Sequence, residues 1–443
     1  MSSIKSYFYT LLRKYLAFYI QPGDVMIEVH PHNNQLLRMF SGNTPANVVE
    51  RSCSDTRKGT LPNDWQNIRA LQPDYLVLHG NIHYERDIQR FLEQLHTVCE
   101  PTTRLIFIYY SSLWKPVFKA ASRLGLREHT PEQNWIAHSD IDNFLLLAGF
   151  EPIRRDQRIL FPLYIPFLSQ VVNRYLAPLP FFRLFTMLNI MVARPIFPEQ
   201  YTTEPSVSVI VPARNEHENI EHVITRLPQM GSHDELIFVE GHSTDDTWQT
   251  IQAMAAKYAA NVSIKIAQQE GKGKGDAVRK GFALTSNDIL MILDADLTVP
   301  PEDLPKSYQA IVSGKGEFIN GSRLVYPMEA KAMRFWNLLG NKFFAVAFSF
   351  VLGQRFKDTL CGTKALTRAN YLKIADNRSY FGDFDPFGDF DLLFGASRLG
   401  LKIVEIPIAY KERTYGTTNI QRWRHGLLLL KMLVFAAKKI KFL

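Results

Sequence analysis

A chain of 443 residues is long enough for two or three domains, each with its own core. With 46% hydrophobic and 21% charged residues and no collagen-like, heptad or solenoid repeat, it is neither disordered nor fibrous. The net charge of +8 comes without zinc-finger spacing, an RNA-recognition signature or a Lys/Arg block, which excludes the usual nucleic-acid modules and points to phosphates and anionic lipid. Cys53, Cys99 and Cys361 are scattered, lack metal-ligand spacing and suit a reducing compartment.

In chain order, the opening "MSSIKSYFYTLLRKYLAFYI" has no apolar core followed by a small-residue cleavage site, so it reads as an amphipathic helix and not a signal peptide. Short apolar runs follow, "GDVMIEVHP", "DYLVLHG" and "RLIFIYY", separated by helical stretches such as "RDIQRFLEQLHTV". That alternation predicts a largely parallel sheet covered by helices. The stretch from "ILFPLYIPFLSQ" to "MLNIMVARP" is apolar but broken by prolines, short of the roughly 20 residues that span a bilayer. It reads as an extension that lies on a membrane or packs between domains. Prolines and polar residues at 195–205 mark a linker. The expected organisation is therefore an α/β domain over 1–194, a second over 206–423 and a basic amphipathic helix over 424–443.

In the second domain, strands again alternate with helices, and four strand ends carry chemistry. "PARNE" (212–216), "VEGHSTDDT" (239–247) and "GKGKGDAVRKG" (271–281) each follow a strand and open a helix, where ligands of open α/β sheets bind. The glycines among Lys272, Lys274 and Arg279 suit a diphosphate. The fourth, "DILMILDAD", predicts a strand running through Asp294 and Asp296, whose alternation sends both carboxylates to one side. A divalent Mg²⁺ or Mn²⁺ relieves that repulsion most simply, with phosphate oxygens filling the remaining positions. Singly, each segment is equally a capped helix, a turn or a solvated basic loop; their order is what speaks.

That order resembles the nucleotide-sugar-binding half of family 2 glycosyltransferases, which have a GT-A fold. The resemblance implies that Pro212, Ala213 and Glu216 hold the nucleoside, that Glu240 lies near the base, and that Lys274 and Asp276 lie beside the sugar nucleotide. Asn215 and Ala295 fall in the same motifs and are counted with this site. Asp294 and Asp296 then hold Mg²⁺ or Mn²⁺ on the diphosphate of a UDP- or GDP-linked sugar. "EGHS" stands where the family usually has D-D-G-S, so the base stays open.

Further on, "EFINGSRLVYPMEAKAMRFWNLLGNKFF" and "FKDTLCGTKALTR" look like the dolichyl-phosphate mannosyltransferase branch, which implies Arg323 and Arg334 on a lipid phosphate. Arg334, Asn337 and Asn341 share one helical face at i, i+3 and i+7, suited to phosphate oxygens. Asp383, Asp385, Asp389 and Asp391 crowd the next stretch. The pair 389 and 391 reads either as first-turn carboxylates of a helix or as acceptor-side groups, one a general base. A phosphate monoester, with a second pKa of about 6, needs no strong base, so Asp389 orients rather than deprotonates if the acceptor is polyprenyl phosphate. "ERTYGTTNI" resembles the segment that closes over the diphosphate, which implies Arg413 and Thr418, with Arg422 and Trp423 behind them. In 424–443, Arg424, Lys431, Lys438 and Lys439 recur about every two turns, as in an interfacial helix.

The first domain resembles, on "QPGDVMIEVHPHNNQLL" and the later apolar runs, a class I S-adenosylmethionine-dependent methyltransferase. Its first loop lacks the glycines that let a backbone approach the cofactor, although Glu28 and Asp74 remain. The expectation is a degenerate, Rossmann-like methyltransferase-type domain that does not bind S-adenosylmethionine. His30 and His32 read as loop residues and not as metal ligands. Together the readings describe a metal-dependent inverting glycosyltransferase acting on a nucleotide sugar and a polyprenyl phosphate, cytoplasmic and peripheral to the membrane, with no nucleic-acid partner and with homo-oligomerisation open. The alternatives are transfer to a glycan hydroxyl, a methyltransferase with an attached sugar-nucleotide module, or a lipid-binding scaffold.

Overall fold

The computed structural model describes residues 2–29, 35–41, 62–125, 134–197, 201, 203–326, 335–381, 390–411, 413, 415 and 422–443. The chain divides into two compact units, Met1–Phe197 with Lys438–Leu443, and Pro198–Ala437.

Unit 1 contains, in order, α1 (Ser2–Leu16), β1 (Met26–Glu28), α2 (Gln35–Ser41), α3 (Pro62–Ala70), β2 (Tyr75–His79), α4 (Ile88–His96), β3 (Arg104–Tyr110), α5 (Lys115–Arg123), α6 (His138–Leu147), β4 (Phe150–Arg158), α7 (Leu168–Val171) and β5 (Leu188–Pro195). Its sheet has the order β1-β2-β3-β5-β4, with β1, β2 and β3 parallel and β5 antiparallel to both its neighbours. Leu76, Leu78, Leu105 and Phe107 from the sheet meet Leu92 and Leu95 of α4 and Ile141 and Leu145 of α6 in one core. The stretch expected to form an extension supplies β5 instead, an interior strand with every residue buried. A strand covered on both faces shows no alternation, and this one merges in the sequence with the apolar run before it. Neighbouring β4, "FEPIRRDQR", is the opposite case. Its Arg154, Asp156 and Arg158 are buried, and Asp156 meets Arg154 at 2.8 Å, Arg158 at 3.7 Å and Lys441 at 3.5 Å.

Unit 2 contains β6 (Val207–Ala213), α8 (Ile220–Arg226), β7 (Asp234–Glu240), α9 (Thr247–Tyr258), β8 (Ser263–Gln268), α10 (Lys274–Ala283), β9 (Ile289–Ile292), α11 (Leu304–Val312), β10 (Phe318–Ser322), α12 (Phe335–Leu352), β11 (Lys364–Thr367), α13 (Arg368–Asp376), α14 (Phe390–Arg398), β12 (Ile403–Pro407) and α15 (Arg422–Ala436). The seven-stranded sheet runs β12-β10-β11-β9-β6-β7-β8, and β11 is antiparallel to both its neighbours. Both units are thus mixed α/β with Rossmann-like sheets. From β6 the chain winds outward through β7 to β8, then returns to place β9 on the other side of β6. That reversal opens a crevice beyond the carboxyl ends of β6 and β9, where open α/β sheets take their ligands.

Candidate active site

Two of the four motifs flank this reversal: residues 213–216 leave β6 and residues 293–296 leave β9. The acidic pair does not lie on the strand. β9 ends at Ile292, and Asp294 and Asp296 stand in the turn beyond it, where Leu297 is held at φ 53°. The alternation expected of a continuing strand therefore does not set their directions. Asn215 and His242, after β6 and β7, are likewise at positive φ, 57° and 56°. Side chains with a Cβ rarely hold this conformation, and such strain collects at functional loops.

Each carboxylate meets its own cation. Lys274, in the first turn of α10, places Nζ 2.6 Å from Asp294 Oδ1. Arg413 places Nη2 2.5 Å from Asp296 Oδ2 and Nη1 3.2 Å from Glu216 Oε1. Thr298 donates to Asp296 Oδ1 from its backbone N at 3.1 Å and its hydroxyl at 2.8 Å. Burial opposes ionisation of Asp294, but Lys274 together with Lys364 and Arg323 outweighs it and holds its pKa below the ordinary value. Glu216 goes the other way: burial, helped by Asp296 and Asp245, outweighs Arg413 and an Asn219 hydrogen bond of 2.7 Å, and its pKa rises to about 7.

The loops expected on the nucleoside side form a network of hydrogen bonds. Glu240 accepts from Ser243 N at 2.5 Å and Gln268 Nε2 at 3.0 Å, bonds that overcome burial and keep its pKa low. Asn215 receives Thr244 N on its side-chain oxygen at 2.8 Å and donates its own N–H to Ser243 Oγ at 3.0 Å. Pro212 and Ala213 end β6 beside Val239 and Glu240 of β7. Asp276 accepts from Gly271 N at 2.8 Å and so closes the glycine-rich turn onto α10 instead of standing free in the crevice. Ala295 is buried between the two aspartates.

Several groups at the site were not singled out as site residues in the sequence. Thr247 Oγ1 holds Glu216 N at 2.9 Å, and His217 Nδ1 lies 3.1 Å from both Asp245 Oδ2 and the Tyr415 hydroxyl. Lys364, wholly buried, donates to Cys361 O. Gly362 backs directly onto the Lys274–Asp294 pair, where an added Cβ would overlap both charged groups.

On the expected acceptor side, Arg323 grips the buried Asp358 carboxylate through Nε at 2.7 Å and Nη2 at 2.9 Å and lies over the Tyr410 ring. The pair ties the end of β10 to the 358 segment. Asp391 is a buried first-turn residue of α14 whose Oδ2 accepts from Arg378 Nε at 2.7 Å. Asn341 is buried within α12. Arg334, Asp383, Asp385, Asp389 and Thr418 lie outside the described residues, as do the side chains of Asn337, Arg422, Trp423 and Arg424. Helix α12 exposes Leu339, Phe343 and Val346, and α15, which packs on it, exposes Leu427, Leu430, Lys431 and Val434.

In unit 1, Phe8 and Tyr9 of α1 pack against His79 at the carboxyl end of β2, and His79 Nδ1 lies 3.6 Å from Glu28 Oε1 at the end of β1. Asp74 is at the opposite edge, accepting from Val25 N at 3.0 Å, so it does not join Glu28 at a cofactor site. His30 and His32 lie outside the described residues. Among the described residues no group of three or more His, Cys, Asp or Glu is placed to hold a metal, and no helix is long and apolar enough to cross a membrane.

Residues 208–369, which hold every motif of the crevice except Arg413, match the glycosyl transferase family 2 profile. Over 221 residues the chain is 31% identical to a dolichol-phosphate mannosyltransferase of Pyrococcus furiosus, a match that covers 48% of this chain and 59% of that enzyme, less than two thirds of its length. Over 239 residues it is 30% identical to glycosyltransferase AglJ of Haloferax volcanii, covering 53% of this chain and 73% of the relative. Glucosyl-3-phosphoglycerate synthase from Mycobacterium tuberculosis, solved with Mn²⁺, uridine diphosphate and glucosyl-3-phosphoglycerate, is similar at 22% identity and a TM-score of 0.39, covering 53% of this chain and 80% of that one. The ordered motifs, the family profile and the two sequence relatives define an enzyme that transfers glycosyl groups. The chain belongs to glycosyl transferase family 2.

Proposed function

We propose that unit 2 is a GT-A-type transferase that moves a sugar from a nucleotide sugar to a polyprenyl phosphate with inversion at the anomeric carbon. The observation that carries this reading is the pair of carboxylates beyond β9, each held by a separate cation, with Arg413 joining Asp296 to Glu216 at the end of β6. Two aspartates with hard oxygen donors fit Mg²⁺ or Mn²⁺, with diphosphate oxygens completing the shell. Asp294 and Asp296 would hold that ion, which supplies electrostatic stabilisation of the leaving diphosphate.

The protein's own residues do the rest. Glu240 and the 213–216 loop hold the nucleoside, and Asn215 fixes the loop around it. Lys274 and Arg413, paired with carboxylates here, turn to the diphosphate oxygens when the substrate enters and offset the charge that grows there. An oxygen of the acceptor phosphate attacks the anomeric carbon, the bond from that carbon to the diphosphate oxygen breaks, and its electron pair leaves with the nucleoside diphosphate. The acceptor is already mostly dianionic at neutral pH, so no proton has to be removed. The relatives named for dolichol phosphate and the apolar, lysine-flanked faces of α12 and α15 support a lipid acceptor and a peripheral place at the cytoplasmic face of a membrane. Unit 1 we read as a methyltransferase-type sheet without its cofactor, because Phe8 and Tyr9 occupy the carboxyl edge at His79.

The test is incubation of the full chain with UDP- and GDP-sugars, polyprenyl phosphate and Mn²⁺, followed by the mass of the lipid product. Asp296→Asn is expected to lower transfer at least about 100-fold, the scale on which one pre-organised charge-stabilising group acts. Transfer only to a glycan hydroxyl, or activity that survives Asp296→Asn, overturns the reading.

A further inference from the structure

Unit 1 carries a surface that the transfer reaction does not use. Exposed apolar residues scattered singly are ordinary, but here they are concentrated. Every residue from Leu163 to Leu168 is exposed, Phe167 at 79%, and Phe181 (66%), Leu184 and Phe185 follow. Leu113 and Val117 are exposed at the entrance to α5, which the Trp114 Nε1–H bond to Phe185 O ties to the same segment at 2.9 Å.

The segment is built to present these side chains. Asn173, itself buried, accepts from Leu160 N and Phe161 N, each at 2.9 Å, and donates to Phe161 O at 2.7 Å and the Tyr7 hydroxyl at 3.1 Å. Ser169, also buried, donates to Ile165 O at 2.6 Å. Polar groups are inside and apolar ones outside, the reverse of a solvated loop. Phe167 is also held at φ 65°, a conformation phenylalanine disfavours, and burial of its ring does not offset it.

Charge selects the occupant. No Asp or Glu occurs in residues 157–198 or 111–125, while Arg174, Arg183, Lys119 and Arg123 are exposed among them. A second copy would bring two basic rims face to face. We infer that this face of unit 1 docks on a bilayer bearing anionic lipid, with Leu163–Leu168 and Phe181–Phe185 entering the acyl boundary and the arginines and lysines at headgroup level. The inference goes beyond the transferase reading, since none of these residues belongs to that site.

Flotation of the full chain with phosphatidylcholine vesicles, with and without phosphatidylglycerol, tests it. Binding is stronger to the anionic vesicles, and the double variant Phe167→Asp, Phe181→Asp lowers the bound fraction roughly tenfold or more, with an unchanged melting curve because both rings are exposed. As a second measurement, a fluorophore on Phe167→Cys, in a background without other accessible thiols, is quenched by brominated lipid, whereas one on Glu93→Cys of the same unit is not. Wild-type protein that stays with the soluble fraction, a label at 167 that is not quenched, or a dimer that the double variant dissociates overturns the inference. Transfer to polyprenyl phosphate dispersed in detergent is unchanged in the double variant. Absence of transfer in the wild type condemns the transferase reading alone and leaves the flotation result standing.

Discussion

Glu216 keeps its proton to a pH at which Asp294, beyond β9, is already ionised. Its pKa is raised from 4.5 to about 7, so the folded state binds the proton more tightly than the unfolded chain does. The stability this contributes is fully present below pH 4.5 and is lost as pH rises through about 7. Glu216→Gln is therefore expected to flatten the decline of melting temperature across that window, measured by scanning calorimetry. Gly362 gives a second prediction. A methyl group there collides with the Lys274–Asp294 pair, so Gly362→Ala is expected to cut transfer at least about tenfold, with overpacking lowering stability by about 1–3 kcal/mol. The contrast between these residues shows what the sequence discloses. Glu216, Lys274 and Asp294 sit in strand-end motifs that announce themselves. Gly362 and Lys364 act through contacts made only when distant segments meet, and nothing in "CGTK" points to the Lys274–Asp294 pair.

Elements were legible where turn residues bound them. β6, β7 and β9 are buried almost throughout and were legible instead as short apolar runs bounded by turn residues and separated by helical stretches, and the strand order places the crevice between β6 and β9. Two elements were not legible for opposite reasons. β5 has no polar face to alternate with, and β4 carries buried charges on a strand that reads as surface. The end of β9 misled in a third way, because "ILMILDAD" keeps its alternation after the backbone has turned. α10 supplies the prediction at this scale. Gly281 lets the helix lie against Ile210 of β6, and an added Cβ would overlap that side chain. Gly281→Ala is expected to destabilise unit 2 by about 1–3 kcal/mol in urea unfolding and to lower activity with it, since the same helix delivers Lys274 to Asp294.

At the scale of the whole molecule, the sequence suggested three successive pieces, and the packing is not successive. α15 belongs to unit 2, but residues 438–443 belong to unit 1. There Arg158 Nη1 donates to Lys441 O at 2.6 Å, Lys441 Nζ approaches Asp156, and Tyr19 donates to Asp156 at 2.9 Å. Burial opposes the charge on both partners. Arg154, Arg158 and Lys441 overcome it for Asp156 and hold its pKa well below the usual carboxylate range, whereas Lys441 is pushed down to about 8. Asp156→Asn keeps the shape but leaves three buried cations without their counter-ion. We expect it to destabilise unit 1 by about 3–5 kcal/mol, seen as an earlier first transition in calorimetry.

The return of residues 438–443 bears on how the chain is made. During translation the first sheet is made long before Lys441, so Asp156 and its two arginines wait for the helical turn 437–441 that completes their cluster. Nascent chains released before that point carry an incomplete clasp, so protease resistance of the amino-terminal fragment should rise abruptly only once the synthesised length passes residue 441.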